Sequence, residues 1–174
     1  MRSFTFIALI SFSLLACGLL SSKKQIPVAQ LQIPNNQKLY PVKSVVDGDT
    51  FWADDGSAKG LKIRLIGIDA PETRRTRQKE IGYYAAESKD HLSQLIGGKA
   101  VRLEFDIQRL DRYQRTLAYV FLTDGTFVNA ELVRQGSAVL MTTPPNVKYV
   151  DQLIQLQQQA KSKKIGLWKE AAPL

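Results

Sequence analysis

Between residues 42 and 66, three short runs of alternating apolar and polar side chains are separated by steps with room for nothing but turns. Val42-Lys43-Ser44-Val45-Val46 and Thr50-Phe51-Trp52-Ala53 flank Asp47-Gly48-Asp49, and Asp55-Gly56 precedes Leu61-Lys62-Ile63-Arg64-Leu65-Ile66. Side chains alternate between the two faces of a strand, so this pattern predicts a meander of strands. In the third strand Leu61, Ile63 and Leu65 share one face, and Lys62 and Arg64 share the other. Ile81, Ala85, Ser88, Leu92 and Leu95 then recur at helical spacing up to Gly97-Gly98, which suits a helix stop. Two more strands follow, at 101–105 and 116–122. Asn129 and Gly136 bracket a short helix as its N-cap and C′ residue, and 147–163 reads as a last amphipathic helix. Five strands, one intervening helix and two terminal helices predict a mainly β domain with α-helices, a small barrel capped by helices and without an internal repeat.

The length of 174 residues suits one domain, and 44% hydrophobic with 23% charged residues is a globular composition. A single Cys and a single His, Cys17 and His91, exclude a Cys/His zinc site, a disulfide framework and a Cys–His nucleophilic pair. Carboxylates, arginines and a hard metal remain as chemical resources. The net charge of +8 points to an anionic partner.

The amino terminus has the layout of a secretory signal over residues 1–16: Arg2, then an apolar run, then Leu14-Leu15-Ala16 before Cys17. Its apolar run stops well short of the ~20 residues that span a bilayer. The Leu-Leu-Ala-Cys end resembles the lipobox of bacterial lipoproteins, in which the cysteine is lipidated as the first mature residue. A plain cleaved signal or an uncleaved anchor with an idle Cys17 is the alternative. Residues 17–38, rich in Ser, Gln, Asn, Lys and Pro, read as a flexible tether to a domain at 39–170. A cell-envelope lipoprotein on the periplasmic or extracellular face, or a secreted protein, is the expected location.

Reactive groups concentrate in three segments: Asp47-Gly48-Asp49-Thr50, Arg64 to Glu72, and Asp111 to Tyr119. Acids gathered at strand ends repel one another unless a cation neutralises them, and an all-oxygen set selects calcium or magnesium. Asp47-Gly48-Asp49 taken alone reads first as turn chemistry. Arg64 and Arg115 taken singly read as solvated or ion-paired side chains. Together with the clustered acids they form two forks that can clamp a phosphodiester.

These segments resemble the signature of the staphylococcal nuclease (thermonuclease) family: the Asp-Gly-Asp-Thr turn, the Arg-Leu strand running to Asp69-Ala70-Pro71-Glu72-Thr73, and Asp111-Arg112-Tyr113-Gln114-Arg115 leading into Leu117-Ala118-Tyr119. The likeness continues through Val128-Asn129 and Leu132 to Gly136 and ends at Gly166-Leu167-Trp168. It implies an OB-fold five-stranded barrel capped by three helices and a calcium-dependent phosphodiesterase. Such an enzyme cuts DNA and RNA, prefers single strands, leaves 3′-phosphates and is expected to be monomeric here. By the same resemblance Asp49, Asp69 and the Ala70 carbonyl would hold Ca²⁺, with Asp47 and Thr50 beside them. Glu72 would be the general base, Arg64 and Arg115 would bind the scissile phosphate, and Tyr113 and Arg112 would contact nucleic acid. The alternative is a non-catalytic OB-fold module, tethered to the cell envelope, that binds nucleic acid or protein.

Three positions depart from the family pattern. Ala70 replaces Thr, Gln114 replaces a Gly and is expected to stiffen or reorient the turn carrying Arg115, and residues 139–144 lack the tyrosines that pack against the base. Arg74, Arg75, Arg77 and Lys79 read either as a solvated basic loop or as a nucleic-acid contact. Tyr83 and Tyr84 are expected to pack on the barrel, His91 to sit on the surface, and Trp52 and Trp168 to be packing residues.

Overall fold

The computed structural model describes residues 38–73 and 82–169. Its elements are β1 (Leu39–Asp47), β2 (Thr50–Ala53), β3 (Leu61–Leu65), β4 (Ile68–Asp69), α1 (Ala85–Ile96), β5 (Ala100–Glu104), β6 (Thr116–Leu122), α2 (Val128–Arg134), β7 (Val139–Leu140) and α3 (Val150–Ser162). A single 3-10 turn, Gly166–Trp168, follows. Five strands close into a barrel in the order β1-β2-β3-β6-β5, all neighbours antiparallel except the parallel pair β3–β6. With the three helices this is the mainly β, OB-like architecture expected.

Strand alternation fills the barrel. Phe51, Ala53, Ile63 and Leu65 from β2 and β3 meet Val101, Ala118 and Val120 from β5 and β6, all at most 1% exposed. Leu92 and Ile96 of α1 and Leu132 of α2 enter the same core. Truncating one such leucine to alanine typically costs ~2–5 kcal/mol, so the barrel is a rigid frame for whatever its rim carries.

Several boundaries and contacts differ from expectation. The third strand stops at Leu65 because Gly67, at φ +80°, turns the chain back into β4, which pairs with β7 in a separate two-stranded sheet. Two-residue strands are too short to leave a period in the sequence. α1 starts at Ala85 rather than near 81, after Tyr84 in the left-handed region, and α3 starts at Val150 rather than 147. Asn129 is no N-cap: it lies inside α2, fully buried, accepting from the Val120 amide (2.9 Å) and donating to the Ile66 carbonyl (2.9 Å). It ties α2 to β6 and to the β3–β4 turn. His91 is half-buried instead of superficial, its Nδ1 2.7 Å from the Ser137 hydroxyl. Tyr83 stands 54% exposed, its ring 6.0 Å from that of Tyr84, instead of being buried against the barrel. No described helix is long and apolar enough to cross a membrane.

Candidate active site

The first half of the site is built on the β1–β2 turn. Gly48 is required there: a Cβ would come 2.7 Å from that of Ala70 and 2.8 Å from that of Ser88 on α1. The turn therefore nests between β4 and α1 and carries Asp49 into a buried position, 5% exposed. Its Oδ2 accepts from the Ala70 amide (2.8 Å), its Oδ1 accepts from the Thr50 hydroxyl (2.9 Å), and its own amide donates to Asp47 Oδ1 (3.2 Å). Burial pushes the Asp49 carboxyl up to about 6; Arg64 pulls it down and Asp47 pushes it further up.

Arg64 leaves β3 on the outward face and is buried by the loops above it, at 6% exposure. One terminal nitrogen reaches both Asp49 (3.0 Å) and Asp69 (2.8 Å). The other donates to the Leu65 and Ile68 carbonyls, at 2.7 Å each. A single guanidinium thus brings together a carboxylate of the β1–β2 turn and one of β4.

The second half is the loop before β6. The Asp111 carboxylate accepts from the Tyr113 amide (2.8 Å), the Arg115 amide (2.9 Å) and the Arg115 Nε (2.6 Å). Partial burial opposes ionisation of Asp111, and these bonds from Arg115 and Tyr113 outweigh it, holding the carboxyl below its usual range. Gln114 adopts φ +62°, so the turn keeps the backbone a glycine would take instead of being reoriented. Tyr113 is 62% exposed, with the Arg112 guanidinium 4.7 Å from its ring centre and donating to its hydroxyl (2.7 Å).

Arg64 lines one cavity and its ion-pair partner Asp69 lines another. One, about 430 Å³, is lined by Arg64, Arg112, Tyr113 and Arg115, with Met141 and Thr143 on its wall. The other, about 380 Å³, is lined by Asp69, Ala70, Pro71, Glu72, Gly82 and Val139. Asp47, Asp49, Thr50, Arg64, Asp69 and the Ala70 backbone form one bonded cluster. Glu72 shares a cavity wall with Asp69 and Ala70, while Arg112, Tyr113 and Arg115 face Arg64 across the other cavity. Cys17 and the basic residues Arg74, Arg75, Arg77 and Lys79 lie outside the described residues. Sequence reading gave no role to Asp111, although its place four residues before Arg115 was visible. It also missed Ser88, whose contact with Gly48 leaves no local signal.

A model of the staphylococcal nuclease homologue family matches residues 62–170. The chain belongs to the staphylococcal nuclease family. It is 40% identical over 134 residues to a thermonuclease of Staphylococcus hyicus, covering 76% of this chain and 77% of that protein. A thermonuclease of Staphylococcus intermedius is 41% identical over 133 residues (74% and 75%), and an uncharacterized endonuclease of Escherichia coli is 38% identical over 136 (76% and 78%). Within this family frame, the donors near Asp49 suit a hard divalent cation. They are carboxylate oxygens, and burial, the largest cause of the raised Asp49 carboxyl, disfavours its charge even with Arg64 beside it. Among the described residues no three Asp, Glu, His or Cys side chains are placed to hold a metal ion by themselves.

Proposed function

We propose that this chain is a nuclease that hydrolyses phosphodiester bonds of DNA and RNA, with calcium held by Asp49, Asp69 and the Ala70 carbonyl. Nuclease and endonuclease relatives across three quarters of the chain support the reaction class. The observation that carries the residue assignment is the convergence of Arg64 on Asp49 and Asp69 between two cavities, one holding Arg115 and the other Glu72.

A phosphodiester repels nucleophiles by its own charge, so hydrolysis needs a base for water and donors for the phosphoryl oxygens. Glu72 takes the proton of the attacking water from the side of the Asp69 cavity. Arg115 donates from the opposite cavity: its Nε is held by Asp111, and its terminal nitrogens carry no hydrogen bond among the described residues. Calcium held by Asp49, Asp69 and the Ala70 carbonyl would supply charge that draws electron density from the phosphate and would share with Arg64 the neutralising of the two carboxylates. Arg64 then orients the phosphate from the floor of the site, anchored by the Leu65 and Ile68 carbonyls. The exposed Tyr113 ring beside the Arg112 and Arg115 guanidiniums supports a single-strand preference, since an unpaired base can stack there. Residues 1–17 support export and a lipid on Cys17, with the tether holding a monomeric domain at the envelope.

The test uses the purified full chain with single-stranded DNA and calcium, with and without chelator, beside Glu72→Gln. Cleavage that chelator abolishes is expected, with the variant slower by roughly 10²- to 10⁴-fold. Binding without cleavage would make the protein a non-catalytic module, and cleavage indifferent to chelator would remove the metal assignment.

A further inference from the structure

We propose that Trp52 and Lys62 form an additional subsite for single-stranded nucleic acid, one nucleotide step along the strand from the scissile phosphate. This deepens the nuclease reading and rests on it. On β2 and β3 the core takes Phe51, Ala53, Ile63 and Leu65, at most 1% exposed, so Thr50, Trp52, Lys62 and Arg64 share the outward face. Thr50 pairs across the strands with Arg64, and Trp52 pairs with Lys62. The two pairs are adjacent same-face rungs, about 6.6 Å apart along the strand, a distance close to one phosphate-to-phosphate step of an extended single strand.

The first rung belongs to the active site. The second carries an indole and an ammonium, the two groups that hold single strands without sequence preference: a π-face for a base and a cation for its phosphate. Trp52 is only half-buried, although a tryptophan on a barrel strand would gain most by entering the core. The Lys62 ammonium lies over the indole, 5.9 Å from its centre, at the outer limit of a cation–π contact, so it can swing to a phosphate while a base takes the ring face. Beyond Ala53 the chain leaves β2, and Asp54 turns its carboxylate to the Gly56 amide (2.9 Å). An acid there repels a further phosphate, which limits the subsite to one nucleotide.

The full chain is tested on a DNA dinucleotide, which has only the scissile phosphate, and on a single-stranded 12-mer, which also reaches the second rung. Trp52→Ala is expected to lower the ratio of kcat/KM values, 12-mer to dinucleotide, by roughly 5- to 150-fold, through KM. Lys62→Gln should lower it less and flatten its salt dependence. The ratio is insensitive to the fraction of folded protein, so a destabilised variant still reports. An unchanged ratio in Trp52→Ala overturns the subsite and leaves the nuclease reading intact. Should the chain not cleave at all, Trp52 fluorescence in a Trp168→Phe background decides, since these are the only two tryptophans. Saturable quenching by the 12-mer then upholds the subsite without catalysis, and its absence overturns it.

Discussion

Arg64 and Arg115 are the same residue type facing one cavity, and they are held in opposite ways. Arg64 is 6% exposed, with four acceptors on its two terminal nitrogens, two carboxylates and two carbonyls. Arg115, whose side chain is 25% exposed, has one carboxylate partner and sits on a loop whose turn is closed by a left-handed Gln114. Arg64, on a barrel strand, is thus fixed at four points by the β1–β2 turn, β4 and the end of β3. Arg115 is tethered at one point, which leaves donors open for a ligand. A rigid floor and an adjustable clamp are what a site needs when the substrate is a long, variable polymer.

The comparison breaks most sharply through stability. In chelator, Arg64→Met should cost about 3–5 kcal/mol in urea unfolding, because it strands buried Asp49 beside Asp47 and Asp69. Calcium should recover part of that loss. Arg115→Met should stay within about 0.5 kcal/mol of the unaltered protein and still lower kcat by roughly 10²- to 10³-fold. Equal stability losses at the two positions would show that both arginines are structural. On the clamp side, Gln114→Gly should raise stability by roughly 0.5–1 kcal/mol, since relief of the left-handed side chain outweighs the entropy glycine adds to the unfolded chain.

The smallest effect concerns His91, on the α1 side that presses Ser88 against Gly48. Burial holds its imidazole below the usual 6.5; Glu131 pulls it up and Arg134 pushes it down. The unfolded chain therefore takes up the proton first as pH falls. The His91 contribution to stability should decline from about pH 6.5 downward and level off below the folded-state value, against an opposite contribution from Asp49, whose raised carboxyl takes up its proton first in the folded chain. His91→Gln should flatten that part of the pH–stability curve, as followed by thermal unfolding. A slope identical in the variant would assign the acid sensitivity to the carboxylates.

The barrel was legible because period-two alternation in β2, β3, β5 and β6 is a local signal read directly from neighbouring residues. The site segments were legible for the same reason: Asp47 to Thr50, Asp69 to Glu72 and Asp111 to Arg115 are each continuous. What could not be read were contacts between residues far apart in the chain. Ser88 touching Gly48, Asn129 bridging Val120 and Ile66, and Gln157 accepting from the Leu140 amide at 2.8 Å are side chains whose partners lie 9 to 63 residues away. Asn129 in particular carries a cap-like residue type, and only burial shows that it serves three elements instead of one helix end.

The sequence by itself determined the strand and turn pattern, the oxygen-only chemistry and the order in which acids and arginines come along the chain. Tertiary structure decided which of them share a dielectric. Lys62 and Arg64 have the same parity on one strand, yet only Arg64 is covered by the turns carrying Asp49 and Asp69. Charge on a side chain is a property of its formula. The strength of that charge depends on how much water the rest of the fold removes from around it.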